Sequence, residues 1–84
     1  MASKGWASCH QNWVDAMKKN RDRRTIAIVY TGFTRAPYRI WMLEDDRVIM
    51  RGTFRFSDLQ HVVSAVDSIY RAAGITGYYA TNMQ

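Results

Sequence analysis

The sequence predicts an α+β domain with an N-terminal helix, a three-stranded antiparallel sheet and a second helix packed on one face of the sheet. Residues 47–56 alternate apolar and polar side chains, which is the period of a strand with one buried face. The residues predicted to face inward are Val48, Met50, Phe54 and Phe56. Residues 58–73 then place apolar side chains three and four positions apart, as an amphipathic helix does. The strand and the helix can therefore cover each other.

The first element is a helix predicted over residues 9–20. Ser8 and Gln11 have the spacing of a capping box, and Trp13 begins an apolar stripe at helical spacing. Trp6 and Trp13 give the helix a narrow apolar face of large area, which requires a covering surface. That surface is either the chain's own sheet or another chain, and the second alternative predicts a homodimer through the two tryptophans.

Three strands of an antiparallel meander are predicted within residues 25–56, and the Glu44–Asp46 turn leaves their register open. A two-residue turn places Trp41 on the same face as Met50. A longer turn, or a bulge, places Met42 there instead and turns Trp41 outward beside Arg51. The turn lacks the glycine that tight hairpin turns prefer, which favours the longer turn.

The second helix is predicted over residues 58–73. Ser57 has the position of its N-cap, and Gln60 completes a capping box. Gly74 follows the last apolar residue of the stripe, where a left-handed residue ends a helix. Residues 75–81 predict either a short edge strand or an ordered tail, and the sequence does not decide between them.

Length and composition indicate one small domain over residues 1–84. The net charge of +5 favours an anionic partner such as nucleic acid. Cys9 is the single cysteine, which excludes an internal disulfide and suits a reducing compartment. No signal peptide and no apolar run of membrane-spanning length is present, so we expect a cytoplasmic protein without membrane contact.

The sequence offers little for catalysis. Cys9 and His10 are neighbours, but a structural zinc ion needs four ligands. The acidic residues 44–46 have the composition of a solvated hairpin tip. No phosphate-binding glycine loop and no nucleophile motif can be assembled. We therefore expect no enzymatic activity, no cofactor and no metal site.

Positive charge supplies the candidate binding residues. Five of the seven residues of 18–24 are cationic, and this stretch is either a solvated connector or a phosphate-contacting loop. Arg47, Arg51 and Arg55 are predicted in a row on the strand face away from the second helix. The competing interpretation is that the N-terminal helix covers that face. The candidate residues for binding nucleic acid or a protein partner are Lys18, Lys19, Arg21, Arg23, Arg24, Arg35, Arg39, Trp41, Arg47, Arg51 and Arg55.

The segment Arg-Gly-Thr-Phe-Arg-Phe-Ser-Asp-Leu at residues 51–59 joins the last predicted strand to the second helix. With this junction, residues 25–73 resemble the DNA-binding domains of plant Apetala-type factors and the arm-binding domains of phage integrases. The resemblance implies that sheet side chains contact DNA. The residues that match the junction or the contact positions are Arg39, Trp41, Arg47, Arg51, Gly52, Thr53 and Phe54. The tryptophan-bearing N-terminal helix and the more apolar first strand depart from the pattern.

A protein-binding role is the alternative. Tryptophan, tyrosine and arginine dominate the energetics of protein interfaces, and this small chain is rich in all three. In size and composition it looks like the small phage proteins that bind and disable a host protein, anti-CRISPR proteins among them. Under this hypothesis the partner is a host protein rather than nucleic acid.

Overall fold

A computed structural model describes residues 4–32 and 34–76. The elements in chain order are α1 (Lys4–Lys19), β1 (Arg24–Tyr30), β2 (Tyr38–Glu44), β3 (Arg47–Arg51) and α2 (Leu59–Ala72). The strands form one antiparallel sheet in the order β1-β2-β3, and α2 packs on it. The predicted α+β architecture of helix, three strands and helix is confirmed. No described helix has the length and apolar character needed to cross a membrane.

Helix α1 begins at Lys4, more than a turn before the predicted start at residue 9. The early turn is held by Trp6, whose ring packs edge-on against Phe54 and Phe56 with ring centroids 5.3 and 5.8 Å apart. Ser8 consequently lies inside the helix, and its predicted role in a capping box is wrong.

Both helices cover the same face of the sheet. Trp13 and Met17 of α1 are buried in one core with α2 and with the sheet residue Met42. The full core comprises Trp13, Val14, Met17, Ile28, Ile40, Met42, Val62, Val66, Ile69, Tyr70 and Ala73. We call the helix-covered side of the sheet the inner face and the opposite side the outer face. The interpretation in which α1 covers the outer face is therefore wrong, and a homodimer through Trp13 gains no support because Trp13 is 3% exposed.

The turn between β2 and β3 has two residues, so the longer turn favoured by the sequence is wrong. Asp45 and Asp46 both adopt left-handed conformations, with φ of 51° and 68°. Such a turn normally uses glycine, but aspartate tolerates this region better than most residues. Here the turn is also held from outside, because the Asp45 N–H donates to the carbonyl of Arg23 and the Asp45 carboxylate pairs with the Arg23 guanidinium.

A bulge between β2 and β3 sets the register. Met42 lies opposite Met50 and Trp41 lies opposite Arg51, whereas Leu43 lies opposite Val48. Ile49 has no partner in this register. The bulge alternative is thereby confirmed, with Met42 inside and Trp41 on the outer face beside Arg51.

The bulge also overturns two predictions about β3. Val48 does not share a face with Met50, because its partner Leu43 is on the outer face. Arg47 lies opposite Glu44, on the inner-face side of the sheet, so Arg47 and Arg51 do not form a row on one face.

Strand β3 ends at Arg51, five residues before the predicted end at Phe56. The chain leaves the ladder after the Gly52 N–H donates to the carbonyl of Ile40, and it returns where Phe56 pairs with Tyr38. Gly52 is buried, and a Cβ atom there would come within 2.9 Å of the Ile40 carbonyl oxygen. Glycine at this position is what allows the two backbones to approach so closely.

Helix α2 starts one residue later than predicted. Asp58, not Ser57, is the N-cap, and its carboxylate accepts a hydrogen bond of 2.9 Å from the His61 N–H. Gly74 is left-handed with φ of 77°, which confirms the predicted end of the helix. Ile75 and Thr76 form no strand, and the remainder of the strand or tail predicted over residues 75–81 lies outside the described residues.

Candidate functional site

The outer face of the sheet carries eight side chains and no acidic residue. They are Thr25, Ala27 and Val29 of β1, Arg39, Trp41 and Leu43 of β2, and Val48 and Arg51 of β3. None of them belongs to the core that the helices form with the inner face. Six of the eight are nevertheless half-buried, and Thr25 and Arg51 are exposed. The outer face is thus an apolar surface with two arginines.

Trp41 is the centre of this surface. It lies on the middle strand between Ala27 and Arg51, and the Cζ atom of Arg51 is 5.0 Å from the centroid of the indole ring. A guanidinium group at this distance interacts favourably with the electron-rich face of the ring. The indole Nε1 of Trp41 is buried and has no hydrogen-bond partner within the described residues.

Arg39 is partly committed to the fold. Its Nε and Nη2 atoms donate to the carbonyl oxygen of Gly52 at 3.3 and 2.9 Å. This carbonyl lies where β3 leaves the ladder, so Arg39 compensates for a missing strand partner. The side chain makes no ion pair with the described acidic residues and keeps its charge on the outer face.

The basic stretch at residues 18–24 is largely a structural joint between α1, β1 and the β2–β3 turn. Arg23 pairs with Asp45. Arg24 donates from Nε to Glu44 at 2.7 Å and from Nη1 to the carbonyl of Ala16 at 2.7 Å. Arg21 is directed to the carbonyl of Gly74, at 3.4 Å. Three of the five cationic side chains of residues 18–24 therefore bind groups of the chain itself.

The remaining candidate cations are dispersed. Lys18 and Lys19 are exposed at the end of α1, and Arg35 is exposed in the bend before Pro37. Arg47 lies on the inner-face side, at the start of β3. Arg55 is exposed between two phenylalanines that contact Trp6. The structure therefore brings together Arg39, Trp41 and Arg51 from the predicted set, and separates most of the others from them.

A groove at the β3 edge of the sheet, on the side of α1, was not predicted. It lies between α1 and the end of β3 and has a volume of about 510 Å³. Its walls are formed by Ser8, Cys9, Asn12, Trp13, Met50, Arg51, Thr53 and Phe54. None of these residues is acidic, and Arg51 borders both the groove and Trp41. Only the burial of α1 on the inner face creates the groove, so no local sequence signal could have revealed it.

Cys9 and His10, the neighbouring thiol and imidazole that the sequence offers for chemistry, both lie on α1. Burial raises the pKa of the Cys9 thiol above its ordinary value of 9.0, which keeps it protonated at neutral pH. His10 Nε2 lies 2.9 Å from Ser68 Oγ, a contact that joins α1 to α2. Across the described residues there is no group of three or more histidine, cysteine, aspartate or glutamate side chains able to hold a metal ion.

Comparisons of the chain with protein-family models, with curated proteins and with solved structures find no match. The resemblance of residues 25–73 to sheet-based DNA-binding domains therefore stays a prediction. Any assignment of function has to rest on the geometry and chemistry of the outer face.

Proposed function

We propose that the protein binds nucleic acid through the outer face of its sheet. The observation that carries this proposal is the composition of that face: Arg39, Trp41 and Arg51 lie on adjacent strands, and no carboxylate is among the eight residues of the surface. Arginines without carboxylate partners attract phosphate, and an aromatic ring among them offers a stacking surface for bases. The net charge of +5 favours the same partner.

The proposed contact surface is smaller than the one expected from the sequence. Arg21, Arg23 and Arg24 contribute long-range attraction but are bound to groups of the chain itself. Lys18 and Lys19 are exposed and can add contacts to the phosphate backbone where a bound strand reaches the end of α1. Such contacts add affinity without sequence information.

The test is a titration of fluorescently labelled DNA, single-stranded and duplex, followed by fluorescence anisotropy at low and at moderate salt. We expect binding at low salt that weakens as salt rises, because phosphate contacts release counterions. Arg51→Ala should weaken binding more than Arg71→Ala does. Arg71→Ala is a matched control because it removes the same charge from an exposed position on α2. Arg71 pairs there with Asp67 at 2.9 Å.

Two results would contradict the proposal. One is the absence of binding to either form of DNA at low salt. The other is an equal loss of affinity for Arg51→Ala and Arg71→Ala, which would mean that overall charge, and not the outer face, determines binding. Thermal unfolding of each variant, monitored by circular dichroism, verifies that the fold is retained.

A second candidate function is binding of a protein partner, and the apolar part of the outer face favours it. Leu43 and Val48 lie side by side next to the Trp41–Arg51 pair. A tryptophan and an arginine flanked by aliphatic side chains have the composition of an interface hot spot. Under this function the partner is a protein whose activity is blocked on binding. Leu43→Ala would then weaken the capture of that partner, and because it adds no charge to the outer face it would leave the affinity for DNA nearly unchanged.

A further inference from the structure

We infer that the outer face takes single-stranded rather than duplex nucleic acid, with one base stacked on Trp41 and the strand continuing past Arg51 into the groove beside α1. This inference rests on the proposed function and names the class of nucleic acid that the site binds. Its three supports are the composition of the face, the surroundings of Trp41, and the position of Arg51.

The composition of the outer face suits unpaired bases. Four of its eight residues, Thr25, Arg39, Trp41 and Arg51, carry side-chain hydrogen-bonding groups, and Arg39 already donates to the Gly52 carbonyl. Reading a duplex requires hydrogen-bonding groups directed at base edges, because the flat faces of the bases are stacked inside the helix. An unpaired base exposes its flat face, which packs well on aromatic and aliphatic side chains.

The surroundings of Trp41 leave access for a base. Ala27, its neighbour on β1, is the smallest side chain of the outer face. On the β3 side, the guanidinium of Arg51 lies over the indole ring. A planar base takes the place of the planar guanidinium, and the released guanidinium then reaches the adjoining phosphate. Arg51 thereby acts as a cover of the stacking site in the free protein and as a phosphate ligand in the complex.

The position of Arg51 also indicates where the bound nucleic-acid strand continues beyond Trp41. This arginine is exposed at the edge of the sheet and borders the groove whose inner wall includes Trp13, Met50 and Phe54. The polar side chains of Ser8 and Asn12 lie on the α1 side of the same groove. The residues that line the groove include no carboxylate that would repel phosphate, and the half-buried ring of Phe54 in its wall can receive the next base.

The main test compares labelled twelve-nucleotide oligothymidine with a twelve-base-pair duplex by fluorescence anisotropy under one salt condition. We expect the single strand to bind at least about tenfold more tightly, because only the single strand can stack a base on Trp41. Trp41→Ala should lower the affinity for oligothymidine by about 5- to 150-fold, which corresponds to the loss of one stacked base.

The matched control is Tyr30→Ala. Tyr30 is an exposed aromatic residue of the same sheet, 62% exposed, but it lies on the inner-face side in contact with Tyr38. Its removal should leave the affinity for oligothymidine unchanged. Trp41→Phe retains a stacking ring and should retain most of the affinity, which separates stacking from a general effect of substitution.

The groove is tested separately with Ser8→Phe, which fills it from α1, and with Ser64→Phe as the control at an exposed position of α2. We expect Ser8→Phe to weaken binding of the twelve-nucleotide strand several-fold and to leave a four-nucleotide strand unaffected. An unchanged affinity for the longer strand would overturn the proposed path through the groove.

The outcomes separate this inference from the proposed function. Equal or tighter binding of the duplex, or an unchanged affinity for the single strand in Trp41→Ala, overturns the single-strand inference while nucleic-acid binding stands. Failure of both forms of DNA to bind at low salt overturns the proposed function itself.

Discussion

The two faces of the sheet are built from alternating residues of the same strands, yet they differ in burial and in what covers them. Along β2, Ile40 and Met42 point inward and are 1% and 0% exposed, whereas Trp41 between them is only half-buried on the outer face. The inner face is covered by two helices, and the outer face belongs to no core cluster. Packing in the core therefore constrains the inner residues more strongly than the outer residues.

The faces also differ in how they treat charge. Arg24, on the inner-face side, is paired with Glu44 and also donates to a helix carbonyl. Arg51, on the outer face, has no carboxylate partner in the part of the chain that the structure describes, and it lies over an aromatic ring. An arginine whose charge is neutralised within the fold contributes to structure, whereas an arginine whose charge is left unpaired remains available to an anion. The presence or absence of a carboxylate partner therefore distinguishes the structural arginines from the candidate binding arginines, which a count of arginines cannot do.

The sharpest test of the contrast is a pair of neighbouring substitutions, Met42→Ala and Trp41→Ala. Met42→Ala should lower the free energy of unfolding by about 2–5 kcal/mol, because it leaves a cavity in the core. Trp41→Ala should cost only about 1 kcal/mol, as expected for a cross-strand pair outside the core. Urea unfolding followed by circular dichroism measures both values. Comparable losses of stability in the two variants would mean that the outer face is also part of the core.

Gly52→Ala is expected to have the next largest effect. The new methyl group would lie 2.9 Å from the Ile40 carbonyl oxygen and 3.0 Å from the Ile40 Cγ1 atom, so the backbones must move apart. Overpacking of this kind should cost about 1–3 kcal/mol of unfolding free energy. Thr53→Ala, at the exposed neighbouring position, is the control and should be close to neutral. An unchanged free energy of unfolding in Gly52→Ala would show that the close approach of the Gly52 and Ile40 backbones is not required for stability.

Much of this architecture could be predicted because periodicity is a local property. The α2 stripe and its glycine end at Gly74 are each encoded within a few residues, and the helix–strands–helix order was predicted together with them. The N-cap was misplaced by one residue because Ser57 and Asp58 are both suitable caps, and only the backbone geometry distinguishes them.

The register and the site could not be predicted in the same way. The bulge at Ile49, which moves Val48 to the outer face, depends on the two-residue turn and on the pairing of Asp45 with Arg23, a residue 22 positions away. The face on which α1 packs likewise depends on contacts between distant segments. The sequence could therefore list every candidate arginine, but it could not separate the paired from the unpaired ones.

Low pH should lower the free energy of unfolding, because it protonates the carboxylates of Glu44 and Asp45, which are paired with arginines. Hydrogen bonds from Arg24, and secondarily from Asn20, hold the pKa of Glu44 below its ordinary value of 4.5. The hydrogen bond from Arg23 likewise holds the pKa of Asp45 below 3.8. A carboxylate whose pKa is lower in the folded state stabilises the fold above its unfolded pKa, and this stabilisation is lost as the pH falls through the folded pKa.

We therefore expect the free energy of unfolding to fall as the pH is lowered from about 5 to about 3. Urea unfolding at a series of pH values measures this dependence. Arg24→Met should flatten it, because Glu44 then loses its first hydrogen-bond donor. Asp22→Asn, which removes an exposed carboxylate without an ion pair among the described residues, should leave the dependence in place. A dependence that Arg24→Met leaves unchanged would contradict the structural role of this pair.

The smallest change is expected for Trp41→Phe. The substitution removes part of a half-buried ring, but it also removes the buried Nε1 group that has no hydrogen-bond partner within the described residues. Leaving such a donor unsatisfied costs about 1–3 kcal/mol, so its removal offsets the lost contact area. The free energy of unfolding should consequently stay within about 1 kcal/mol of the unsubstituted protein. Urea unfolding decides the matter, and a loss well above that value would mean that the indole is held by the fold rather than left for a ligand.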